Sequence, residues 1–329
     1  MDVGIGEGAA VNARIVCALI AAVAAGSGCS SKSAAPAPAK PIIVLAHNDW
    51  MSANLNDAVA QILLKEQLGY EVQLVNAGTS DQWPKVAAGT LHASLEVWPS
   101  GHPDAIQKYV VADKTVESGG PIGVVARVGW FFPTYLLTAH PELATWKGLQ
   151  NPAVVDLFKV SPTDDKARFV GGSKDWVQWD QQIIDNLKLE FKVEFAGSEE
   201  AEIALLDTVY PDRKPILFYL WEPHWVLAKY DLTLMELPPY SDACWAKGAS
   251  NGIDCGYPPD NLFKIIWPGL KTLAPDAYQF FKNFSYTSKD DQVQMMGDVK
   301  GGMPIEAAAR KWINTHPAVW KNWIPATTK

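Results

Sequence analysis

The sequence predicts an α/β protein built of two lobes with a ligand cleft between them. Short apolar runs alternate with segments whose apolar residues recur at helical spacing. The predicted strands fall into two groups along the chain, each interleaved with helices, which favours two α/β lobes. In both groups a tryptophan stands where a strand gives way to a loop, and the boundary between lobes is a favoured place for a ligand.

The N-terminal part of the predicted fold is a β-α-β unit. The apolar run at 41–46 is typical of a buried strand, and the loop 47–50 follows it. Apolar residues at helical spacing predict a helix over 52–68, which Gly69 ends as a cap. A strand over 71–75 completes the unit, so we expect parallel strands and a right-handed crossover. Ligands bind beyond the carboxyl ends of such strands, which places the loop 47–50 at the ligand-binding edge.

The alternation of strands and helices continues along the chain without an internal repeat. Two of the later strands, 91–98 and 215–221, end at tryptophans, Trp98 and Trp221. The other predicted strands cover 121–128, which leads into the aromatic segment 129–135, and 191–195; the predicted helices cover 81–88, 151–158, 176–189 and 198–209. From residue 275 onward the pattern is mostly helical.

The composition describes a folded globular protein and argues against nucleic acid as a partner. Of the 329 residues, 48% are hydrophobic and 19% are charged, which is ordinary for a folded chain. The formal net charge is −8 and no basic stripe occurs, whereas nucleic-acid-binding domains carry a positive patch. The acidic balance is compatible with a cationic or zwitterionic ligand.

The first 40 residues are predicted to lie outside the fold. Arg14 precedes an apolar run, 15–25, that has the length of a secretory h-region and is too short to span a bilayer. The run ends in Gly-Ser-Gly-Cys, which resembles the lipobox of bacterial lipoproteins and makes Cys29 the predicted lipidated residue. Residues 1–28 are then a signal peptide and residues 29–40 a flexible tether. Simple release of a soluble periplasmic protein is the alternative to lipid anchoring.

Two of the four cysteines are predicted to form a disulfide. Cys17 lies in the leader and Cys29 at the proposed lipid site, which leaves Cys244 and Cys255 in a loop rich in Gly, Ser and Asn. A disulfide is favoured in an oxidising compartment, and two free thiols are the alternative. The bond would close a loop of about a dozen residues and stabilise the fold by about 2–3 kcal/mol. With no histidine nearby, the pair does not predict a metal site.

Tryptophan is unusually abundant, and three tryptophans carry distinctive local sequences. The chain has 14 Trp against 11 Phe and 10 Tyr. Trp98 lies in L-E-V-W-P, Trp176 in G-G-S-K-D-W and Trp221 in Y-L-W-E-P-H-W. An indole attracts cations because the face of its ring is electron-rich. A trimethylammonium group has no N–H to donate, so indoles that converge on one cleft predict a site for a quaternary ammonium ligand.

Several segments resemble the glycine betaine/proline betaine/choline-type substrate-binding proteins of bacterial ABC importers. The resemblance extends from about residue 41 to about residue 320. Its anchors are Leu68-Gly69-Tyr70-Glu71-Val72, Ala88-Gly89-Thr90-Leu91-His92-Ala93, Leu95-Glu96-Val97-Trp98-Pro99, Phe132-Pro133-Thr134-Tyr135 and Trp221-Glu222-Pro223-His224-Trp225, followed by Ala228-Lys229-Tyr230-Asp231-Leu232. The last block, W-x-P-H-W leading into A-K-Y-D-L, is the most specific.

The resemblance implies a two-lobed periplasmic-binding-protein fold of type II that closes around its ligand. We expect residues 41–127 and 233–329 to form lobe I and residues 128–232 to form lobe II. The protein would be the extracytoplasmic, monomeric component of an ABC importer that hands its ligand to a membrane permease. It would need no cofactor or metal, and it would not be an enzyme. A receptor that presents the ligand to a sensor would have the same fold, and the sequence does not distinguish the two.

The resemblance also assigns roles to residues in the matched motifs. Trp98 and Trp221 would be walls of an aromatic cage, and Trp176 would be a third wall contributed from the other side of the cleft. His224 would donate a hydrogen bond to a ligand carboxylate. Three desolvated cation–π contacts would contribute about 6 kcal/mol before the entropic cost of association. We therefore expect micromolar affinity, with glycine betaine, proline betaine, carnitine and choline all open as ligands.

Four further residues are candidates for the same site. Trp50 corresponds to a wall that choline-binding members of the family use, and Trp130 or Tyr135 would supply another face. Asp49 would meet a hydroxyl group or the ammonium. The segment 241–259 has no counterpart that aligns with the family, and it could reshape the entrance of the cleft.

A secreted carbohydrate-active enzyme or sugar-binding protein is the alternative from another class. Tryptophans also form platforms for sugars, and Glu96 and Glu222 are candidates for a pair of acid and nucleophile. Glu96 lies two residues before Trp98 and shares its strand face, whereas Glu222 directly follows Trp221 and would point the opposite way. The chain contains neither the serine-hydrolase motif G-x-S-x-G nor a phosphate loop.

Overall fold

A nine-stranded mixed sheet runs through the part of the chain that the structure, a computed structural model, describes, namely residues 40–160 and 166–326. The strands are β1 (Ile43–His47), β2 (Val72–Asn76), β3 (Ala93–Val97), β4 (Glu117–Pro133), β5 (Ala167–Gly171), β6 (Phe191–Phe195), β7 (Phe218–Glu222), β8 (Leu232–Leu234) and β9 (Pro259–Ile266). Their order is β2-β1-β3-β9-β4-β7-β5-β6, and β8 pairs with β4. The predicted signal peptide, the tether up to residue 39 and Cys29 lie outside the described residues.

The helices of the described chain are mostly short. The α-helices are α1 (Met51–Leu68), α2 (Gln82–Ala87), α3 (Pro103–Ala105), α4 (Pro152–Leu157), α5 (Asp180–Asn186), α6 (Glu199–Val209), α7 (Val226–Lys229), α8 (Asp242–Trp245), α9 (Leu270–Leu273), α10 (Pro275–Asn283), α11 (Asp290–Lys300), α12 (Ile305–Thr315) and α13 (Pro317–Trp320). A π-helix, Ile106–Ala112, continues α3, and 3₁₀ turns cover Pro99–Gly101, Thr134–Thr138, Pro141–Ala144, Trp146–Gln150, Gly248–Ser250 and Lys321–Trp323. Within these residues, no helix combines the length and the apolar character needed to cross a membrane.

The predicted β-α-β unit at the start of the fold is confirmed. β1 and β2 are parallel, with Ile43 opposite Val72, and α1 connects them. Gly69 ends the helix in a left-handed conformation with φ 68°, and its N–H and that of Tyr70 bond to carbonyls of the last turn. The apolar side of α1 is buried in the core. The loop 47–50 therefore follows the carboxyl end of β1, as the sequence predicts.

β4 is the longest strand, and it changes its partner along its length. Its segment from Glu117 to Arg127 pairs with β9, and its segment from Arg127 to Phe131 pairs with β7. The predicted strand 121–128 and the aromatic residues after it therefore form one continuous strand. The change of partner falls at the predicted boundary between lobes I and II, whose bounds stay a prediction. The sequence pattern does not predict β5 or β9, and β9 begins with the turn-forming residues Pro-Asp-Asn.

The predicted helix over 176–189 is wrong in its first part. α5 begins only at Asp180, and a loop precedes it. Gln178 Oε1 accepts a hydrogen bond from Gly172 N at 3.1 Å, and Gln178 Nε2 donates to another carbonyl of the same loop at 2.7 Å. Side chains that bond to nearby backbone in this way compete with helix formation. As a result Trp176 lies in a loop rather than on a helix.

The segment 241–259 is held by a disulfide. Cys244 and Cys255 are joined, as predicted, with their Cα atoms 6.4 Å apart, which is within the usual range for a disulfide. Ser241 caps the short helix α8, because its Oγ accepts a hydrogen bond from Cys244 N at 3.2 Å. The cross-link ties α8 to the residues just before β9 and so restrains the whole segment.

Candidate ligand-binding site

Six aromatic side chains enclose a cavity of about 50 Å³. One water molecule needs about 10–15 Å³ measured in the same way, so the cavity has room for a small solute. The aromatic side chains are Trp50, Trp98, Trp176, Tyr219, Trp221 and Tyr257. They come from distant parts of the chain: the N-terminus of α1, the end of β3, the loop before α5, β7, and the segment before β9.

The indole rings of the cavity stand nearly perpendicular to one another. Trp176 and Trp221 have ring centroids 5.3 Å apart at 87°, Trp98 and Trp221 are 6.5 Å apart at 80°, and Trp50 and Trp176 are 6.1 Å apart at 86°. Such edge-to-face contacts are themselves stabilising. Because adjacent walls of a box are perpendicular, this arrangement presents ring faces to a central group from several directions.

Glu96 holds two of these walls in place. Its Oε1 accepts hydrogen bonds from Trp50 Nε1 at 2.7 Å, from Ser52 Oγ at 2.9 Å and from Trp98 Nε1 at 3.2 Å. Its Oε2 accepts from Asn56 Nδ2 at 2.7 Å and from Gln292 Nε2 at 3.2 Å. Burial raises the pKa of the Glu96 carboxyl, and the hydrogen bonds that it accepts oppose that shift. One buried carboxylate thus fixes the orientation of two indoles from two different elements.

Trp176 is held by the backbone geometry of its own loop and by a second carboxylate. Its Nε1 donates to Asp49 Oδ1 at 2.6 Å. Its ring lies against Gly172, where an added Cβ would stand 2.2 Å from the ring carbon Cζ3. Any other side chain at this glycine would therefore push the indole away. This explains why a glycine-containing turn precedes the tryptophan in the G-G-S-K-D-W signature.

Trp221 differs from the other indoles in its polar contacts. Its Nε1 is buried and has no hydrogen-bond partner among the described residues. Its ring packs edge-on against the His224 ring, with centroids 4.7 Å apart at 89°. The fourth wall is therefore positioned by packing rather than by a carboxylate.

Comparison with known proteins gives the family of the chain. Residues 41–315 match the family model described as the substrate binding domain of ABC-type glycine betaine transport systems. The chain belongs to this family. It is therefore the substrate-binding component of an ABC transport system of the glycine betaine and choline type, and it is not an enzyme. Members of this kind bind small ammonium solutes and deliver them to a membrane permease.

Individual relatives cover most of the chain. It is 28% identical over 297 residues to the trimethylamine N-oxide-binding protein of Pelagibacter ubique (strain HTCC1062). The aligned region covers 85% of this chain and 90% of the relative. The crystal structure of lactococcal OpuAC, closed on glycine betaine, has a TM-score of 0.67 at 24% identity over 87% of this chain and 100% of that one. An ABC-transporter choline-binding protein in complex with choline has a TM-score of 0.68 at 21% identity over 86% and 91% of the two chains. The predicted two-lobed fold is confirmed by these structures.

The structure places His224 away from the cavity, and its predicted role as a donor to a ligand carboxylate stays a prediction. It is 2% exposed and does not line the cavity. Its Nδ1 accepts from Val226 N at 3.1 Å, so the proton sits on Nε2, which donates to Glu199 Oε1 at 3.1 Å. Glu199 Oε2 in turn accepts from Met51 N, the first residue of α1, at 2.7 Å. Both ring nitrogens are therefore used in structural bonds, and the ring supports Trp221 from behind.

Glu199 is the anchor of this structural group. Burial opposes its ionisation, but the hydrogen bonds from His224, Met51 and Trp225 outweigh that effect, so its pKa lies below its usual value. A carboxylate at the N-terminus of α1 is also favoured by the helix dipole. The group therefore ties α6 and the W-E-P-H-W segment to the start of α1, next to Trp50.

Trp130 and Tyr135 are likewise outside the cavity, so the structure does not bring them together with the other candidates. Trp130 is fully buried, packs on Phe169 with ring centroids 5.0 Å apart, and donates from Nε1 to Asp180 Oδ1 at 2.6 Å. Tyr135 belongs to a separate surface cluster, where its hydroxyl donates to the carbonyl of Lys214 at 2.6 Å. Asp49 does not line the cavity either, and its contact with Trp176 makes it a support for a wall.

Tyr219 and Tyr257 are the walls that the sequence analysis misses. Tyr219 stands two residues before Trp221 on β7 and so shares its strand face, a signal that was available in the sequence. Tyr257 had no local signal. Its hydroxyl donates to Asp180 Oδ1 at 3.1 Å and accepts from Trp179 N at 2.9 Å, contacts that only the folded chain creates. The segment 241–259 thus contributes directly to the cavity.

Glu96 and Glu222 do not form the paired carboxylates of a glycosidase. Glu96 is buried among its five donors, whereas Glu222 lies at the end of β7 and bonds to the guanidinium of Arg127 at 2.9 Å near the surface. Glu222 does not line the cavity. Within residues 40–160 and 166–326, no group of three or more His, Cys, Asp or Glu is arranged to hold a metal ion. The carbohydrate-enzyme alternative therefore has no support in the structure.

Proposed function

We propose that the protein captures a small solute carrying a trimethylated, positively charged nitrogen in the cavity between its tryptophans. The observation that carries this proposal is the set of near-perpendicular indole faces around one cavity, three of which are held by carboxylates at their N–H groups. Each face attracts a cation, and each desolvated contact contributes about 2 kcal/mol. Trp50, Trp98, Trp176 and Trp221 are the proposed cage walls, with Tyr219 and Tyr257 beside them.

The charges around the cavity also favour a cation. Glu96 lines it, and none of its lining residues is a lysine or arginine. Two more carboxylates accept hydrogen bonds from lining residues: Asp260 from the Ser100 hydroxyl and Asp180 from the Tyr257 hydroxyl. A buried cation needs nearby negative charge to offset its desolvation. The cavity supplies that charge through the hydrogen-bonded network rather than by direct ion pairing.

The ligands named for similar proteins share one chemical feature. Glycine betaine, choline and trimethylamine N-oxide, which the relatives bind, all contain a nitrogen with three methyl groups. The aromatic cage suits that shared part, whatever the rest of the molecule is.

Isothermal titration calorimetry tests the proposal directly. The protein is unfolded and refolded to remove bound solute and is then titrated with choline, glycine betaine, carnitine, trimethylamine N-oxide and 3,3-dimethylbutanol, the neutral isostere of choline. We expect micromolar binding of at least one charged or dipolar compound and none of the isostere. Equal affinity for choline and its isostere would show that the tryptophans do not act through cation–π attraction. If none of the methylated nitrogen compounds binds, the proposal is refuted.

The proposal extends to where and how the protein acts. It lies outside the cytoplasm as a monomer that a lipid on Cys29 anchors to the membrane. Its lobes I (41–127 and 233–329) and II (128–232) close on the ligand. The secretory leader and the lipobox-like Gly-Ser-Gly-Cys sequence support this part of the proposal. Membrane fractionation of cells that express the protein or its Cys29→Ser variant tests the anchor. We expect the protein in the membrane fraction and the variant in the soluble extracytoplasmic fraction; a soluble wild-type protein would favour simple cleavage of the leader.

A further inference from the structure

Two residues of the cavity lining have polar side-chain groups without a hydrogen-bond partner among the described residues. They are His102, through its imidazole, and Tyr219, through its hydroxyl. Both residues are only 7% exposed. Their polar atoms are nevertheless not fully enclosed. Each therefore keeps a small accessible surface on a residue that lines the cavity.

The other polar groups of the lining already have partners. Thr79 Oγ1 donates to the carbonyl of Asp175 at 2.9 Å, and Ser100 Oγ donates to Asp260 Oδ2 at 2.7 Å. Gln82 donates to a backbone carbonyl and accepts from Ser94 Oγ at 2.7 Å. Glu96 accepts from five donors, as described above. Apart from the enclosed Trp221 N–H, His102 and Tyr219 are thus the side chains of the lining that are left to serve a ligand.

We infer that His102 and the Tyr219 hydroxyl recognise the polar end of the ligand through neutral hydrogen bonds, and that the site favours trimethylated nitrogen compounds ending in a hydroxyl or N-oxide over those ending in a carboxylate. This inference rests on the proposed function and narrows its substrate class.

The first physical reason is that a carboxylate would find no cationic side chain here. Among the residues that the structure describes, no lysine or arginine lines the cavity, and the charged neighbours Glu96, Asp180 and Asp260 are all acidic. A carboxylate that loses its water without an opposite charge or a full set of donors is strongly disfavoured. A hydroxyl or an N-oxide oxygen is smaller and needs only one or two hydrogen bonds.

The second reason is the protonation state of the histidine. Burial lowers the pKa of His102 to about 4, so the ring is neutral at physiological pH. A neutral imidazole has one donor and one acceptor nitrogen, and a tyrosine hydroxyl both donates and accepts. Together the two groups match the hydroxyl of choline, which needs a donor and an acceptor, and the oxygen of an N-oxide, which needs donors alone.

The decisive experiment uses a ligand without a polar end. Tetramethylammonium, choline, trimethylamine N-oxide and glycine betaine are titrated calorimetrically into the full chain and into the Tyr219→Phe and His102→Phe variants. Tetramethylammonium reports on the cage alone. We expect its Kd to change less than about 2-fold in both variants, whereas the preferred hydroxyl or N-oxide ligand weakens about 10-fold, the effect of one lost hydrogen bond. In the wild type, glycine betaine should bind at least about 10-fold more weakly than that ligand.

Matched controls separate recognition from folding. Tyr135→Phe removes a tyrosine hydroxyl far from the cavity and should leave every Kd unchanged. His102→Gln keeps a neutral donor and acceptor, so it should retain most of the affinity for the polar ligand that His102→Phe loses. If His102→Phe does not fold, Tyr219→Phe alone carries the test. Equal losses for tetramethylammonium and the polar ligands would overturn the inference, because the two residues would then only pack. Glycine betaine as the tightest ligand would overturn the stated preference. Failure of the wild type to bind any of the four compounds would instead refute the proposed function.

Discussion

Two fully buried glutamates near the cavity have opposite surroundings. Glu96, on β3, accepts hydrogen bonds from five donors. Glu202, on α6, has neither carboxyl oxygen bonded to any described residue. Four of the five groups around Glu96 are N–H donors, and their hydrogen bonds favour the ionised carboxylate and so oppose the rise in its pKa that burial causes. Burial and the neighbouring acids Glu199 and Asp180 raise the pKa of Glu202 well above its usual range.

The difference teaches how this protein keeps negative charge where a cation would bind. On the side of β3 and α1, a complete set of donors offsets the desolvation of one carboxylate and at the same time orients Trp50 and Trp98. On the side of α6 and β7, the carboxyl is kept neutral by a proton, and the wall Trp221 relies on packing. Burial alone therefore does not decide whether an acid contributes charge, and the donors around it do.

The largest expected effect comes from removing a wall on either side. Trp98→Ala and Trp221→Ala should each weaken ligand binding about 30-fold, which corresponds to the loss of about 2 kcal/mol of cation–π attraction. Calorimetry measures the change, and Trp146→Ala, outside the cavity, is the control. Similar losses on both sides would show that the ring faces carry the affinity, whereas unchanged affinity in both variants would refute the cage.

Glu96→Gln should be the next most damaging change. The carboxamide replaces an acceptor by a donor and so turns at least one N–H of its neighbours into an unsatisfied buried group. We expect about 10-fold weaker binding of a cationic ligand together with a lower melting temperature. Glu202→Gln is the matched control, because the same substitution there meets no donors and should leave affinity unchanged. A similar loss of affinity in Glu96→Gln and Glu202→Gln would show that the donors around Glu96 do not give it a special part in ligand binding.

Glu202→Gln should change the pH dependence of stability instead. The folded wild type retains the proton on Glu202, while the unfolded chain releases it above a pKa of 4.5. The folded state therefore binds more protons, and wild-type stability falls as the pH rises through this range. Glu202→Gln has no such group to titrate. Its free energy of unfolding should therefore rise relative to that of the wild type by up to about 1.4 kcal/mol per pH unit above pH 5.

Urea unfolding at several pH values between 5 and 8 measures this difference. Glu200→Gln, at an exposed neighbouring position, is the control and should give no pH-dependent gain. A constant difference between wild type and Glu202→Gln across the range would mean that Glu202 is ionised in the folded protein.

The smallest expected effect is that of Asp49→Asn. Asp49 accepts from the indole of Trp176 but is exposed to solvent, so water can replace part of the interaction. The asparagine oxygen can still accept the bond, but the charge near the ring is lost. We expect binding to weaken about 2- to 3-fold, with little change in stability. A loss as large as that of Glu96→Gln would mean that exposure does not reduce the contribution of a supporting carboxylate.

Much of the architecture was predictable because its signals are local. The period of the apolar residues and the left-handed Gly69 define α1, and strand-length apolar runs define β1 and β2. Trp98 and Trp221 were identified by their positions at strand ends and by their motifs. Tyr219 could have been added by the two-residue period of its strand. The helical pattern does not hold in the loop before α5, because the hydrogen bonds of Gln178 to the backbone outweigh it.

The sequence by itself determined the class of fold, the family, and the tryptophans that line the cavity, since these depend on periodicity, turn residues and contiguous motifs. The tertiary structure alone decided which polar groups line the cavity. His224 and His102 each lie a few residues after a tryptophan of the cavity, yet the first is bonded to Glu199 and to Val226 N away from the cavity, and the second is a lining residue. The same holds for the donors that surround Glu96 and for the placement of Tyr257. The reason is physical: a side chain's partners and its burial depend on segments far away in the chain, which meet only when the sheet and the helices have packed.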